Sequence, residues 1–262
     1  MRERWRQQGA RSRQLVLWSV VGAAVLAVGL GLAARRGSAR SPLVPALGAE
    51  LNPPRALPDV PLETPSGRTV RLSSFRGRVV VLTPFLTLCA EVCPLTTGAF
   101  MQAQTRVAAA GLARRVVFVE VTVDPWRDTP PRLRAFRRLI HDHGVEMLTG
   151  SVGNIHRLWR ALGVWYTRVP EGSPPSIDWW THKPETFDID HSDALDIIDS
   201  AGRWRVVDLG MPQVPAGKLG PRLRGLLDQL GIHNLDHPSE PWTVDQLLQD
   251  VGAVLGRTAP IP

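Results

Sequence analysis

A chain of 262 residues is long enough for one globular domain with an appendage, and for a core that needs no disulfide staples. Its formal charge of +7 is uneven: residues 1–40 hold eight of the 31 Lys and Arg and one of the 24 Asp and Glu, which leaves 23 of each sign elsewhere. A nucleic-acid binder needs a basic face on its folded part, so this balance argues against nucleic acid as a partner.

Residues 15–34 are an uncharged, largely apolar run of 20. As a helix, at about 1.5 Å per residue, the run spans about 30 Å, one hydrocarbon core. Arg2, Arg4, Arg6, Arg11 and Arg13 precede it, and Arg35, Arg36 and Arg40 follow. The heavier positive flank stays cytoplasmic, so residues 1–14 are expected inside and the rest of the chain on the extracytoplasmic side of a single-pass anchor. A cleaved signal peptide is the rival reading. Its apolar core runs about 7–15 residues, and Ala33-Ala34-Arg35 is a poor cleavage site. Residues 37–62 are rich in Pro, Ala, Gly and Ser and read as a tether. The expected division is a flexible tether at 35–56 and a domain at 57–262.

Thr64-Pro65-Ser66-Gly67 signals a turn, and residues 69–72 alternate like a short strand. Residues 79–85 form a buried strand, with two cysteines close behind it. A helical pattern covers 96–111, and a second β-branched run covers 116–123. Asp128-Thr129-Pro130 then opens a helix: Thr129 suits the cap and Pro130 the first turn, where its missing N–H costs nothing. That helix is expected to reach residue 143, with Gly144 as its stop. A short helix follows at 152–162. Residues 168–190 look irregular, with Pro170, Pro174, Pro175 and the pair Trp179-Trp180. Strands at 194–198 and 203–207 flank the turn Asp199-Ser200-Ala201-Gly202. Helices at 219–230 and 244–255 form a C-terminal helical extension. This order predicts an α/β fold with a central sheet covered by helices.

The decisive segment is Cys89-Ala90-Glu91-Val92-Cys93-Pro94, at the handover from a buried strand to a helix. These are the chain's two cysteines. Spaced i and i+4, they share one side of a helical turn. A helix N-terminus favours thiolate over thiol, and paired thiolates suit a soft metal such as Cu(I) or a reversible disulfide. An inert disulfide is the plain alternative, though so short a loop stabilises a large domain little.

Three motifs in order, CAEVCP at 89–94, VDPWRDTP at 123–130 and DHSDALDIID at 190–199, resemble the Sco/SenC family of copper chaperones for the CuA centre of cytochrome c oxidase. The resemblance spans roughly 57–208 together with the N-terminal anchor. It implies a thioredoxin-like fold, copper bound by Cys89, Cys93 and His191, and the copper-accepting oxidase subunit as partner. Independently of it, His191 stands before a strand, and strand-flanking loops of an α/β sheet gather at one edge. Two thiolates and an imidazole make a ligand set that Cu(I) tolerates. An extracytoplasmic thiol–disulfide oxidoreductase, using Cys89 and Cys93 as a redox pair on the oxidase cysteines, is the alternative function.

Asp124, at the end of the second buried strand, reads either as an outer carboxylate orienting His191 or as a turn former ahead of Pro125. Asp190 carries the same two readings. Leu88 and Ala90 depart from the family, which often has an aromatic or His before the first cysteine and Pro after it. The longer segment at 163–188, with Trp165, Trp179 and Trp180, reads as a hairpin packed on the domain or as a docking surface. His182 is a weak auxiliary ligand candidate, and Arg132, Arg134, Arg137 and Arg138 read as a solvated helix face.

Overall fold

In the computed structural model, which describes residues 43–46, 48–142 and 144–262, the element order is strand-rich at first. Strands β1 (Ala49–Ala56), β2 (Leu62–Glu63), β3 (Thr69–Val70) and β4 (Val79–Phe85) come before helix α1 (Cys93–Ala109). Then follow β5 (Val116–Thr122), α2 (Pro130–Ile140), β6 (Glu146–Leu148) and α3 (Val152–Leu162). Next come β7 (Tyr166–Val169), β8 (Asp188–His191), β9 (Leu195–Ile198) and β10 (Arg203–Asp208). Helices α4 (Pro221–Arg224), α5 (Gln229–Asp236) and α6 (Val244–Val254) end the chain.

One six-stranded sheet runs β1-β10-β9-β4-β5-β6. β4, β5 and β6 are parallel, while β9, β10 and β1 are antiparallel additions. Every residue of β4 and β5 is buried, as central strands with covered faces require. Helix α1 lays Leu95, Ala99, Phe100, Ala103 and Val107 into the core, where Phe100 meets Phe118 at 5.3 Å. The expected mixed α/β architecture is thus present. β7 and β8 stand apart as a separate two-stranded hairpin.

Pro84 sits inside a central strand, which normally excludes proline. The pairing explains it. β9 pairs with β4 only at Val80, Val81 and Leu82, so Pro84 lies beyond that ladder and needs no N–H toward β9. The Thr83 hydroxyl takes over by donating to the Ala194 carbonyl at 2.8 Å. This bond pins the start of β9 to the end of β4, and so brings residues 191–193 towards the cysteine loop.

Several expectations change. The run at 15–34 and the flanking segment 1–14 lie outside the described residues; among the described residues no helix is long and apolar enough to cross a membrane. Residues 49–56, expected as tether, form β1 against β10. The helix expected at 96 starts at Cys93, because the N-cap turn is made by Val92, whose carbonyl accepts from Leu95 and Thr96. Helix α2 stops at Ile140, with His141 in the left-handed conformation at φ 57°. The helix expected at 219–230 is broken into α4 and α5: Asp228 is extended and caps α5 by accepting from the Gly231 N–H at 2.7 Å.

Candidate metal centre

The Cys89–Cys93 loop leaves the sheet at the C-terminal end of β4, the edge where α/β folds place ligands. It is tied down from below. The Asp128 carboxylate accepts from the Thr87 N–H and hydroxyl and, at 2.6 Å, from the Thr122 hydroxyl. Above, the Trp179 indole donates to the Thr87 carbonyl at 2.8 Å. Asp128 was expected to help open α2. It turns inward instead, and burial together with the Asp124 charge raises its pKa to about 7.

The first turn of α1 meets the first thiol. The Cys93 N–H donates to Cys89 Sγ at 3.3 Å, so an unpaired donor of the helix N-terminus is satisfied by sulfur. Both cysteines are free; Cys89 is half-buried and Cys93 buried. Their chemistry is split. Cys89 is pushed well below the usual thiol range by the hydrogen bond from Cys93 and, against the cost of burial, by the hydrogen bond and charge of His191. Cys93 is pushed well above it, first by burial and then by Cys89 itself. Of the two, Cys89 is the more acidic thiol and Cys93 the less acidic one.

His191 ends β8 opposite Tyr166. Its Nδ1 lies 3.2 Å from the Ser192 carbonyl. With Nδ1 turned to a carbonyl, Nε2 is the nitrogen left for a metal. Burial pushes the imidazole down, but the hydrogen bond and charge of Cys89 outweigh it and the net shift is upward. One ligand atom from each of Cys89, Cys93 and His191 lies within 4.8 Å of the others. Two sulfurs and an imidazole at this spacing can close around a soft ion.

Cys89 and His191 border a cleft of about 400 Å³, with Cys93 buried behind them, and its wall carries Glu91, Glu171, Glu185, Asp188, Asp190 and Asp193. Burial raises Glu91 and Glu185 to about 7 and Asp193 to about 6. Carboxylates held above their ordinary range by burial and by one another form a site that gains from an incoming cation.

Asp124 does not touch His191. Its buried carboxylate is taken by the Arg127 guanidinium, which also donates to Glu185 and to the Phe187 carbonyl, each at 2.8 Å. Asp124 thus reaches the segment leading into β8 through Arg127. Its turn role holds as well, since its carbonyl accepts from Asp128 at 2.9 Å. Asp190 is exposed on the cleft wall. His182 is exposed in a left-handed turn, away from that wall. Arg132, expected in solvent, is buried and paired with Asp178 beneath Trp180. Trp179 packs on Phe136 at 5.7 Å, so this part of 163–188 is a hairpin packed on the domain, while Trp165 stays exposed. Sequence reasoning missed Arg127 and Arg132; their signal was an Asp partner in the same motif and an aromatic pair further along.

Comparison with known proteins follows the same boundaries. The SCO1/SenC family profile matches residues 57–212. A candidate copper-binding protein of Stutzerimonas stutzeri is 27% identical over 151 residues, 58% of this chain and 68% of that protein. The mitochondrial SCO2 homologue of Bos taurus is 28% identical over 138 residues, 52% of this chain and 47% of its own length. This match therefore spans about half of the cattle protein. Among solved structures, apo Sco1 of Thermus thermophilus is 26% identical with a TM-score of 0.49, covering 73% of this chain and 97% of that one.

Proposed function

This chain belongs to the SCO1/SenC family, and we propose that it is a copper chaperone whose cargo is held by Cys89, Cys93 and His191. The observation that carries the reading is the approach of two sulfurs and one imidazole to within 4.8 Å beside an acidic cleft. Thiolate and imidazole donors suit Cu(I), and the surrounding carboxylates draw a cation in. A thiolate ligand must be deprotonated, so binding works against the burial that raises the Cys93 pKa. Half-buried Cys89 is the ligand that an acceptor can replace first, and buried Cys93 the one released last. The family resemblance supports the CuA-bearing subunit of cytochrome c oxidase as recipient. The apolar run at 15–34 supports a membrane anchor with the domain outside. Release of the chain from membranes by an alkaline wash would count against that anchor.

A second reading, thiol–disulfide exchange, draws support from the asymmetry of the pair. The Cys89 thiolate would attack an acceptor disulfide and release one acceptor thiolate. Cys93, once deprotonated, would attack Cys89 and release the other. The acceptor gains two electrons and the chain is left with a Cys89–Cys93 disulfide.

His191→Ala separates the two. The reduced protein loaded with Cu(I) is expected to bind a single ion, and the variant to lose it to a competing chelator more than about 100-fold more readily, beyond the range for loss of a ligand's outer partner. Reductase activity toward a disulfide peptide should survive in the variant. Unchanged copper retention without His191 would sink the chaperone reading.

A further inference from the structure

The family profile ends at residue 212, yet the chain beyond it reaches the metal centre. After β10 the extension first crosses α1. Leu219 and Leu223 pack against Gly98, where an added Cβ would stand 2.7 Å from Leu219 Cδ1. It next meets the cysteine loop. The Asp228 N–H donates to the Ala90 carbonyl at 3.0 Å. A Cβ on Gly231 would stand 2.2 Å from that same oxygen. Gly231 lies inside α5 with ordinary helical backbone, so glycine serves here for close approach and not for conformation. Asp228 holds both contacts in register by accepting from the Gly231 N–H.

A third contact closes the wall. Met211 donates its N–H to Ser239 at 3.2 Å and accepts from the Trp242 N–H at 3.0 Å, and the buried Trp242 indole donates to Gly210 at 2.8 Å. Met211 and Asp228 line the cleft with Cys89 and His191. Ala90 lies between the two thiols, so whatever holds its carbonyl holds the geometry of both.

We propose that the C-terminal extension is a positioning element of the metal centre: Asp228 and Gly231 clamp the Ala90 carbonyl and thereby set the spacing and exposure of Cys89 and Cys93. The clamp deepens the copper reading and rests on it for its purpose. Its geometry is testable without copper.

The test is Gly231→Ala in the full chain, with Gly153→Ala as control, since a Cβ at Gly153 in α3 meets nothing within 4 Å. In the apo, reduced protein the ratio of Cys89 to Cys93 alkylation rates should shift in Gly231→Ala and stay at the wild-type value in the control. In the loaded protein Cu(I) affinity should fall about 10–100-fold, as for loss of an outer partner of a metal ligand. The sulfur-to-copper charge-transfer band of the Cu(II) form should also move. A Gly231→Ala protein that folds with wild-type alkylation ratio, affinity and band position overturns the clamp. If the variant does not fold, hydrogen exchange at the Asp228 amide of the wild type decides. Slower exchange on Cu(I) loading supports the clamp, and an indifferent amide overturns it. Should the wild type take up no Cu(I), the copper reading fails alone and the alkylation ratio still judges the clamp.

Discussion

The two sides of the metal centre are built from different forces. The cysteine side grows from the hydrophobic core, between fully buried β4 and the apolar face of α1. The histidine side is a two-stranded hairpin held largely by charge and stacking. Arg127 ties Asp124 to Glu185 and Phe187, Arg132 ties Asp178, and Arg168 lies 3.9 Å over Trp126 and 4.4 Å over Phe187. Core packing is dispersed over many contacts, so no single bond decides it. The hairpin rests on a few guanidinium groups, each of which matters. A donor set with one firm half and one lightly tethered half can open to an acceptor without disturbing the core.

Arg127→Ala should break this contrast most strongly. It leaves the buried carboxylates of Asp124 and Glu185 without their cation, at a cost of about 3–5 kcal/mol. We expect denaturant melts to show that loss, and Cu(I) affinity to fall toward that of His191→Ala. The alkylation ratio of the two cysteines should shift less, and no further than in His191→Ala, because the Cys93 hydrogen bond to Cys89 is kept. Equal disturbance of both would mean that the hairpin and the cysteine loop are one rigid body.

On the core side, Glu120 provides a smaller test. It is fully buried under α1, where one carboxylate oxygen accepts from the Thr97 hydroxyl at 2.7 Å. Burial lifts it from 4.5 to about 8, opposed by the Thr97 bond. The folded protein thus keeps a proton that the unfolded chain releases. Its stabilising contribution is complete below pH 4.5 and declines as pH rises to about 8, by about 1.4 kcal/mol per unit. Glu120→Gln should remove that slope from a series of melts at different pH. A variant with the wild-type slope would show that Glu120 is ionised in the folded state.

The smallest effect is expected from Trp179→Phe, which keeps the ring but removes the donor to the Thr87 carbonyl. We expect a loss of about 1 kcal/mol and a slight rise in Cys89 alkylation, because Thr87 opens the cysteine loop. A loss above about 3 kcal/mol would place this indole among the main supports of the hairpin.

Much of the site was legible because its signals are local. The strand at 79–85 and the helix at 152–162 follow from apolar runs and caps, and the structure reproduces both spans. The thiol pair is local too, since CAEVCP sits directly at a strand-to-helix handover. Other features were hidden. Residues 49–56 carry Pro53 and Pro54 and little hydrophobic pattern, so only pairing with β10 makes them a strand. Arg132 reads as solvated until Asp178, 46 residues later, folds over it. Asp228 looks like one more helical residue, yet its extended backbone caps the start of α5.

The sequence alone determined the mixed α/β order, the paired thiols at a helix start and the presence of one histidine in a strand-leading motif. These depend on spacing and periodicity, which neighbours along the chain set. Tertiary structure decided which histidine nitrogen meets a carbonyl, which cysteine is the more acidic, what Asp124 holds and what presses on Ala90. Each of those depends on groups far apart in sequence meeting in a medium of low dielectric, where hydrogen bonds and burial move protons and fix side chains in ways that no local pattern encodes.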